Sequence, residues 1–288
     1  MAAFSDSDYN STGYSDYRPR YPGTWYSRIK EYHSGARGLV VDVGCGPGTA
    51  TFQLRENLPF KRVVGVDVST AMVERARQTA REKVVTDAGR VEFVVSTADN
   101  FSFLNGAKAD MITAAQCVHW LDWERFQLAA ADNLRAGGTL AIWDYTDPSI
   151  VGYPELDPLM KEFIYGESHL GPHWEQPGTR MLKQLLRNLH FDEKLFDDIY
   201  VCRESTDDAL RGTAGRTPLH VEKTMTLEQM NSYLSTWSAF HSWRKQDPAG
   251  SIAAKSAFFQ FIFSKTSMTW SSEVCLTWNS VGILARRR

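Results

Sequence analysis

Asp42, Gly44, Gly46, Gly48 and Asp67 are the residues of this 288-residue chain whose types and spacing could do chemistry. The first four stand in LVVDVGCGPGTA, residues 39 to 50, an apolar run that breaks into glycines at alternate positions. That is the pattern of a buried strand turning into a helix, with a backbone that a ligand can approach unobstructed by Cβ atoms. A pyrophosphate would want the spacing G-x-G-x-x-G and free N–H groups at the turn. Here Thr49 stands where the third glycine would be, Pro47 has no N–H, and Asp42 places a carboxylate two residues before Gly44. An anion at that place repels phosphate and suits a ligand carrying an ammonium or a sulfonium. S-adenosylmethionine has both. Nineteen residues after Gly48, Asp67 closes the next apolar run, Arg62 to Val66, where an acid can accept two bonds from ribose hydroxyls. The competing reading of these residues is a tight strand-to-helix turn with two loop acids.

The elements that must position these groups alternate as in a doubly wound sheet. Strands are expected near 39–43, 62–66, 91–95, 110–115 and 139–144, with helices between them. Ser69 is placed to cap the second helix, Asp122 to cap the fourth, and Gly137-Gly138 to end it. A short helix before them carries Trp25, Ile29 and Tyr32 at core spacing and stops by Gly35. Ligands in such sheets bind past the carboxyl ends of strands. Gln116, His119 and Trp120 follow the fourth strand, so a contact to cofactor or acceptor competes there with a packed aromatic pair. Residues 146–190 have no strand pattern but carry Tyr153, Trp174, Arg180 and several prolines, as an irregular cap would. Strands near 195–203 and 273–285 then flank a long interval. Inside it Thr226 and Gln229 have capping-box spacing, and Leu227, Met230, Leu234, Trp237 and His241 fall on one helix face with Arg244 a turn onward. Trp237 and His241 either pack in the core or reach an acceptor.

The stretches VDVGCGPGTAT and GVDVSTAMVERA resemble the class I S-adenosylmethionine-dependent methyltransferases. FSDSDYNSTGYSDYRPRYP, AAQCVHWLDWERF, AIWDYTDP, GPHWEQPG and TWSAFHSW more narrowly resemble the fungal trans-aconitate methyltransferases. The resemblance implies S-adenosylmethionine as cofactor, held by Asp42, Gly44, Cys45, Gly46, Gly48, Asp67, Val68, Met72 and Gln116. Past the third strand it implies Asp99 on the adenine amino group, with Asn100 and Phe101 beside the ring. It implies an amino-terminal segment, with Tyr14, Arg18 and Tyr21, that closes over cofactor and acceptor. Trp120, Tyr145, Trp174, Arg180, Trp237, His241 and Arg244 would complete the acceptor site. Its acceptor would be a carboxylic acid, already ionised, that needs no base; for a phenol, amine or thiol, His119 or His241 would be the catalytic base.

The expected architecture is α/β: one methyltransferase domain over 1–288, with a seven-stranded Rossmann-like sheet whose last strand is antiparallel. Its parts are a lid at 1–38, a cofactor core at 39–145, cap segments at 146–190 and 205–268, and final strands at 195–204 and 273–285. A formal charge of −2 and a pI near 6.4 leave no basic field for nucleic acid. No apolar run approaches the roughly 20 residues of a spanning helix, so no membrane is expected. Met1 to Asn10 is polar, unlike a signal peptide, and Cys45, Cys117, Cys202 and Cys275 are too scattered for a disulfide framework or a metal knuckle. A cytoplasmic monomer or weak homodimer acting on a small molecule is the expectation. A secondary-metabolite O-, N- or S-methyltransferase on an apolar acceptor and a cofactor-binding regulatory protein are the alternatives. A nicotinamide dehydrogenase is disfavoured by Pro47 and Thr49.

Overall fold

The computed structural model describes residues 17–82, 91–205 and 217–288. The chain enters through helix α1 (Gly23–Tyr32) and then alternates as β1 (Leu39–Val43), α2 (Thr49–Asn57), β2 (Arg62–Asp67), α3 (Thr70–Glu82), β3 (Val91–Val95), β4 (Ala109–Ala115), α4 (Trp123–Asn133) and β5 (Leu134–Ile150). Helices α5 (Asp157–Tyr165) and α6 (Gly178–Lys183) precede β6 (Phe196–Glu204) and β7 (Val221–Thr226). Helices α7 (Leu227–Leu234), α8 (Ser238–Gln246) and α9 (Pro248–Lys265) lead to β8 (Glu273–Arg287).

The sheet order is β3-β2-β1-β4-β5-β8-β6, with β7 also paired to β8. From β3 through β5 all pairs are parallel, and β8 runs antiparallel to β5, β6 and β7. The strand order reverses between β1 and β4, which places a ligand crevice at their carboxyl ends. Every residue of β1 and β4 is buried, because helices cover both faces of a parallel sheet. Alternate side chains divide between two cores: Val40, Met111, Ala141 and Trp143 on one face, and Val41, Ile112, Leu140 and Ile142 on the other. Trp25 of α1 lies against Gly282 of β8, where an added Cβ would sit 2.4 Å from the indole.

Three expectations are corrected. The sheet has eight strands, not seven, because β7 forms inside the interval read as an insertion and β8 is long enough to pair with β6 and β7 along one edge. Strand β5 runs on to Ile150 instead of stopping near 144. The single helix carrying Leu227 through His241 is broken in two. Ser235 donates its hydroxyl to the Asn231 carbonyl at 2.9 Å and Thr236 to the Tyr233 carbonyl at 2.7 Å, and Trp237 is extended. Such side-chain bonds compete with the helix for its own carbonyls. The Thr226–Gln229 capping box opens α7, and Asp122 caps α4. Gly137 and Gly138 lie beyond the helix end, at the start of β5.

Candidate active site

A cavity of about 300 Å³ opens past the carboxyl ends of β1, β2 and β4, within the usual range for small-ligand sites. Gly44, Gly46, Asp67, Val68, Met72, Asp99 and Gln116 line it. The glycine loop is shaped for close approach. Gly44 has φ +64° and an added Cβ would lie 2.6 Å from the Cys117 Cβ, whereas a Cβ on Gly46, φ +53°, would meet nothing within 4 Å. Gly44 is therefore fixed by packing, and Gly46 presents bare backbone to the cavity. Asp67 accepts the Gly46 N–H at 2.8 Å through one oxygen and the Ser69 N–H at 2.8 Å through the other. Burial raises its pKa above the ordinary carboxylate range, against the pull of these N–H groups.

Asp42 differs from its expected position. It is fully buried beneath the loop and lines none of the three cavities described here. The Thr51 and Thr113 hydroxyls donate to its two oxygens at 2.6 and 2.7 Å. Desolvation lifts its pKa to about 6, with the hydroxyl bonds lowering and Asp67 raising it. It can act on a ligand only as a charge under the loop. Gly48 is likewise a packing residue: an added Cβ would come 2.7 Å from the Phe52 ring, and φ is +92°. Cys45 lines a small cavity of about 40 Å³ with Tyr21, Arg18 and Tyr145.

Asp99 lines the large cavity, held by the Thr97 hydroxyl at 2.7 Å and by an ion pair with Arg125. Both hold its pKa down, the hydroxyl first. Its neighbours are corrected. Asn100 turns away to accept the Ser102 N–H, and Phe101 is buried in the core beside Phe103. Phe126, Leu121 and Ala98 supply apolar lining instead. Phe126 is the apolar contribution of the capped helix α4, one turn past Asp122.

A second cavity of about 80 Å³ adjoins the first, sharing Gln116 and Trp120. Its lining includes Arg18, His119, Tyr145, Trp174 and Trp237, with Tyr165, Tyr233 and Asp147 in addition. Arg18 donates to the Thr236 hydroxyl at 3.1 Å and carbonyl at 2.9 Å, and lies over the Tyr233 ring. His119 is buried with Nδ1 3.4 Å from Asp144, whose carboxyl is fully buried and raised in pKa by desolvation, against the pull of His119. The sequence signal for Asp144 was a lone acid in an otherwise apolar strand, on the opposite side from Tyr145. Arg180 and Arg244 are exposed and line no described cavity, because α6 and α8 turn those positions outward. His241 is buried but also lines no described cavity, although its N–H still donates to the Trp237 carbonyl at 3.0 Å. Tyr14 lies outside the described residues.

Comparison with known proteins agrees with this geometry. Residues 40–138 match the family model described as a methyltransferase domain. The Saccharomyces cerevisiae protein named probable S-adenosylmethionine-dependent methyltransferase CRG1 is 28% identical over 253 residues, 86% of this chain and 85% of its own length. A trans-aconitate 2-methyltransferase of Azoarcus is 39% identical over 114 residues, 38% of this chain and 41% of that protein. The solved structure of a protein assigned as a type II methyltransferase, from Anaeromyxobacter dehalogenans, superposes with a TM-score of 0.67 at 26% identity, covering 94% of this chain and 97% of that one. Among the described residues no helix is long and apolar enough to cross a membrane. With a glycine loop that departs from the dinucleotide pattern, a cavity at the strand-order reversal and these relatives, residues 40–138 form a methyltransferase domain and the chain is an S-adenosylmethionine-dependent methyltransferase.

Proposed function

We propose that the enzyme methylates an oxygen of a small acid of the trans-aconitate type, with the donor in the large cavity and the acceptor in the aromatic one. Arg18 carries this reading: of the four cationic candidates, it is the one that lines the cavity next to the donor site. A guanidinium can orient a carboxylate through paired hydrogen bonds. The partial match to a trans-aconitate methyltransferase points the same way. When bound, S-adenosylmethionine supplies an activated methyl on a sulfonium. Asp67 would hold the ribose hydroxyls, Asp99 the adenine amino group, and Gly44 and Gly46 the methionine end, with Val68 and Met72 against the ring. The task left to the protein is alignment and exclusion of water, a proximity effect worth up to roughly 7–11 kcal/mol. Trp120, Trp174 and Trp237 supply the water-excluding walls.

The His119–Asp144 pair favours a second reading. A buried carboxylate that orients an imidazole at the acceptor cavity suits removal of a proton from a phenol, enol or thiol. The two readings separate on one experiment. Purified enzyme with labelled donor is offered trans-aconitate, its amides, phenols and thiols, in wild type and in Arg18→Ala and His119→Asn. The acid reading expects turnover of the acid alone, lost in Arg18→Ala and kept in His119→Asn. Preferred turnover of an uncharged phenol or thiol, lost in His119→Asn, would replace it with the second.

A further inference from the structure

Gln116 has a conformation that calls for an explanation. It is one of few non-glycine residues here with positive φ, at +55°, where a side chain is strained unless something holds it. The last parallel rung between β4 and β5 joins Ala115 to Trp143, and the Gln116 N–H still donates to the Trp143 carbonyl at 2.9 Å. The backbone then leaves the sheet for the turn that carries His119 and Trp120. One rung further, Tyr145 would lose its partner. The Gln116 side chain replaces it: Nε2 donates to the Tyr145 carbonyl and Oε1 accepts the Tyr145 N–H, both at 2.8 Å. An amide side chain thus imitates the peptide group that has turned away. Gln116 also lines all three cavities.

We infer that the Gln116 side chain is a positioning residue, a substitute rung that fixes the acceptor wall at Tyr145 relative to the donor loop. Tyr145 lines the acceptor cavity and interacts with Arg18, so the register of this rung sets where the acceptor stands with respect to the donor cavity. Methyl displacement requires that register, since a misplacement of about 1 Å can cost about a hundredfold in rate. The bond pattern also explains why glutamine stands there. Leucine would fill the volume but leave both Tyr145 groups unpaired, and glutamate would satisfy the N–H while setting an oxygen against the carbonyl.

The test uses the full chain and the variants Gln116→Ala, Gln116→Gly and Gln116→Glu, with folding followed by thermal unfolding. Three quantities are read: exchange of the Tyr145 amide by NMR, the Kd for S-adenosylhomocysteine, and kcat and KM on trans-aconitate. The last rests on the acid reading above. Alanine and glycine should each speed Tyr145 exchange about fivefold to tenfold and lower kcat about 10- to 100-fold, a larger factor than the accompanying loss of product affinity. Glycine should not rescue, although it relieves the left-handed backbone. In the glutamate variant the ionised carboxyl should repel the Tyr145 carbonyl and open the rung as alanine does near neutral pH, and Tyr145 protection should return relative to alanine as pH falls through the ordinary carboxyl range, about 4 to 5, where the protonated carboxyl can donate to that carbonyl. Unchanged Tyr145 protection in alanine, full turnover in glycine, or a glutamate variant whose exchange relative to alanine ignores pH would each overturn the inference. If wild type does not methylate trans-aconitate, the acid reading fails, while the exchange measurements still decide the role of Gln116.

Discussion

Replacing Asp42 with asparagine removes one buried charge and keeps the shape. Asp42 is fully buried, and the hydroxyls of Thr51 and Thr113 do not make good the lost hydration, so its pKa stands at about 6 instead of 3.8. The folded protein therefore binds this proton more tightly than the unfolded chain does. The stability that this group contributes is fully present below its unfolded pKa and is lost as pH rises through about 6. At about 1.4 kcal/mol per pH unit, the displacement corresponds to about 3 kcal/mol across that window. Asparagine cannot titrate, and both threonine hydroxyls can rotate to pair with its amide. The assay is urea unfolding of wild type and Asp42→Asn at pH 4.5, 6 and 8. Wild type should lose about 2–3 kcal/mol relative to the variant between the lowest and highest pH. Parallel pH profiles for the two proteins would refute the reasoning, since every other titrating group is common to both.

Asp67→Ala should weaken S-adenosylhomocysteine binding about 5- to 100-fold by calorimetry, because it deletes the candidate ribose acceptor and frees the Gly46 and Ser69 N–H groups that it holds. Gly48→Ala should lower stability by more than about 2 kcal/mol in thermal or urea unfolding, since the added Cβ meets Phe52 at 2.7 Å and Phe93 at 3.1 Å at a φ of +92°. Arg180→Ala and Arg244→Ala should leave acceptor KM within about twofold, because both side chains are exposed away from the cavity, whereas Arg18→Ala should raise it about tenfold or more.

Strands β1, β2 and β4 were legible because a parallel strand covered on both faces reads as a continuous apolar run, and LVVDV is buried throughout. The caps at Asp122 and Thr226 were legible because their chemistry is local. What the sequence hid was direction. Asp99 faces the cavity while Asn100 and Phe101, one and two residues on, do not, and a turn of that length carries no periodicity from which to tell them apart. The helix through Trp237 and His241 kept perfect spacing on paper, and two hydroxyls at Ser235 and Thr236 were enough to divide it. Arg180 and Arg244 stand out in the sequence by charge alone, which marks exposed helix faces at least as often as binding sites. Asp144 needed the partner His119 to become visible, and that partner lies on another element 25 positions earlier.

The long strand β8 supports one of the two adjoining cavities and not the other. The larger cavity is walled by β1, β2 and β4 and the turns after them, which pair over shorter stretches of chain, Val40 with Met111 at the longest. The smaller cavity is different: Tyr145 is paired with Ser280, and Trp278 of the same strand supports Tyr233 through its indole N–H at 2.8 Å. Closing that span is only about one doubling longer than closing β1 on β4, an added entropic cost of about 0.6 kcal/mol. The aromatic cavity thus leans on the far end of the chain: loosening β8 would disturb Tyr145 and Tyr233 while leaving the lining of the larger cavity to its own strands.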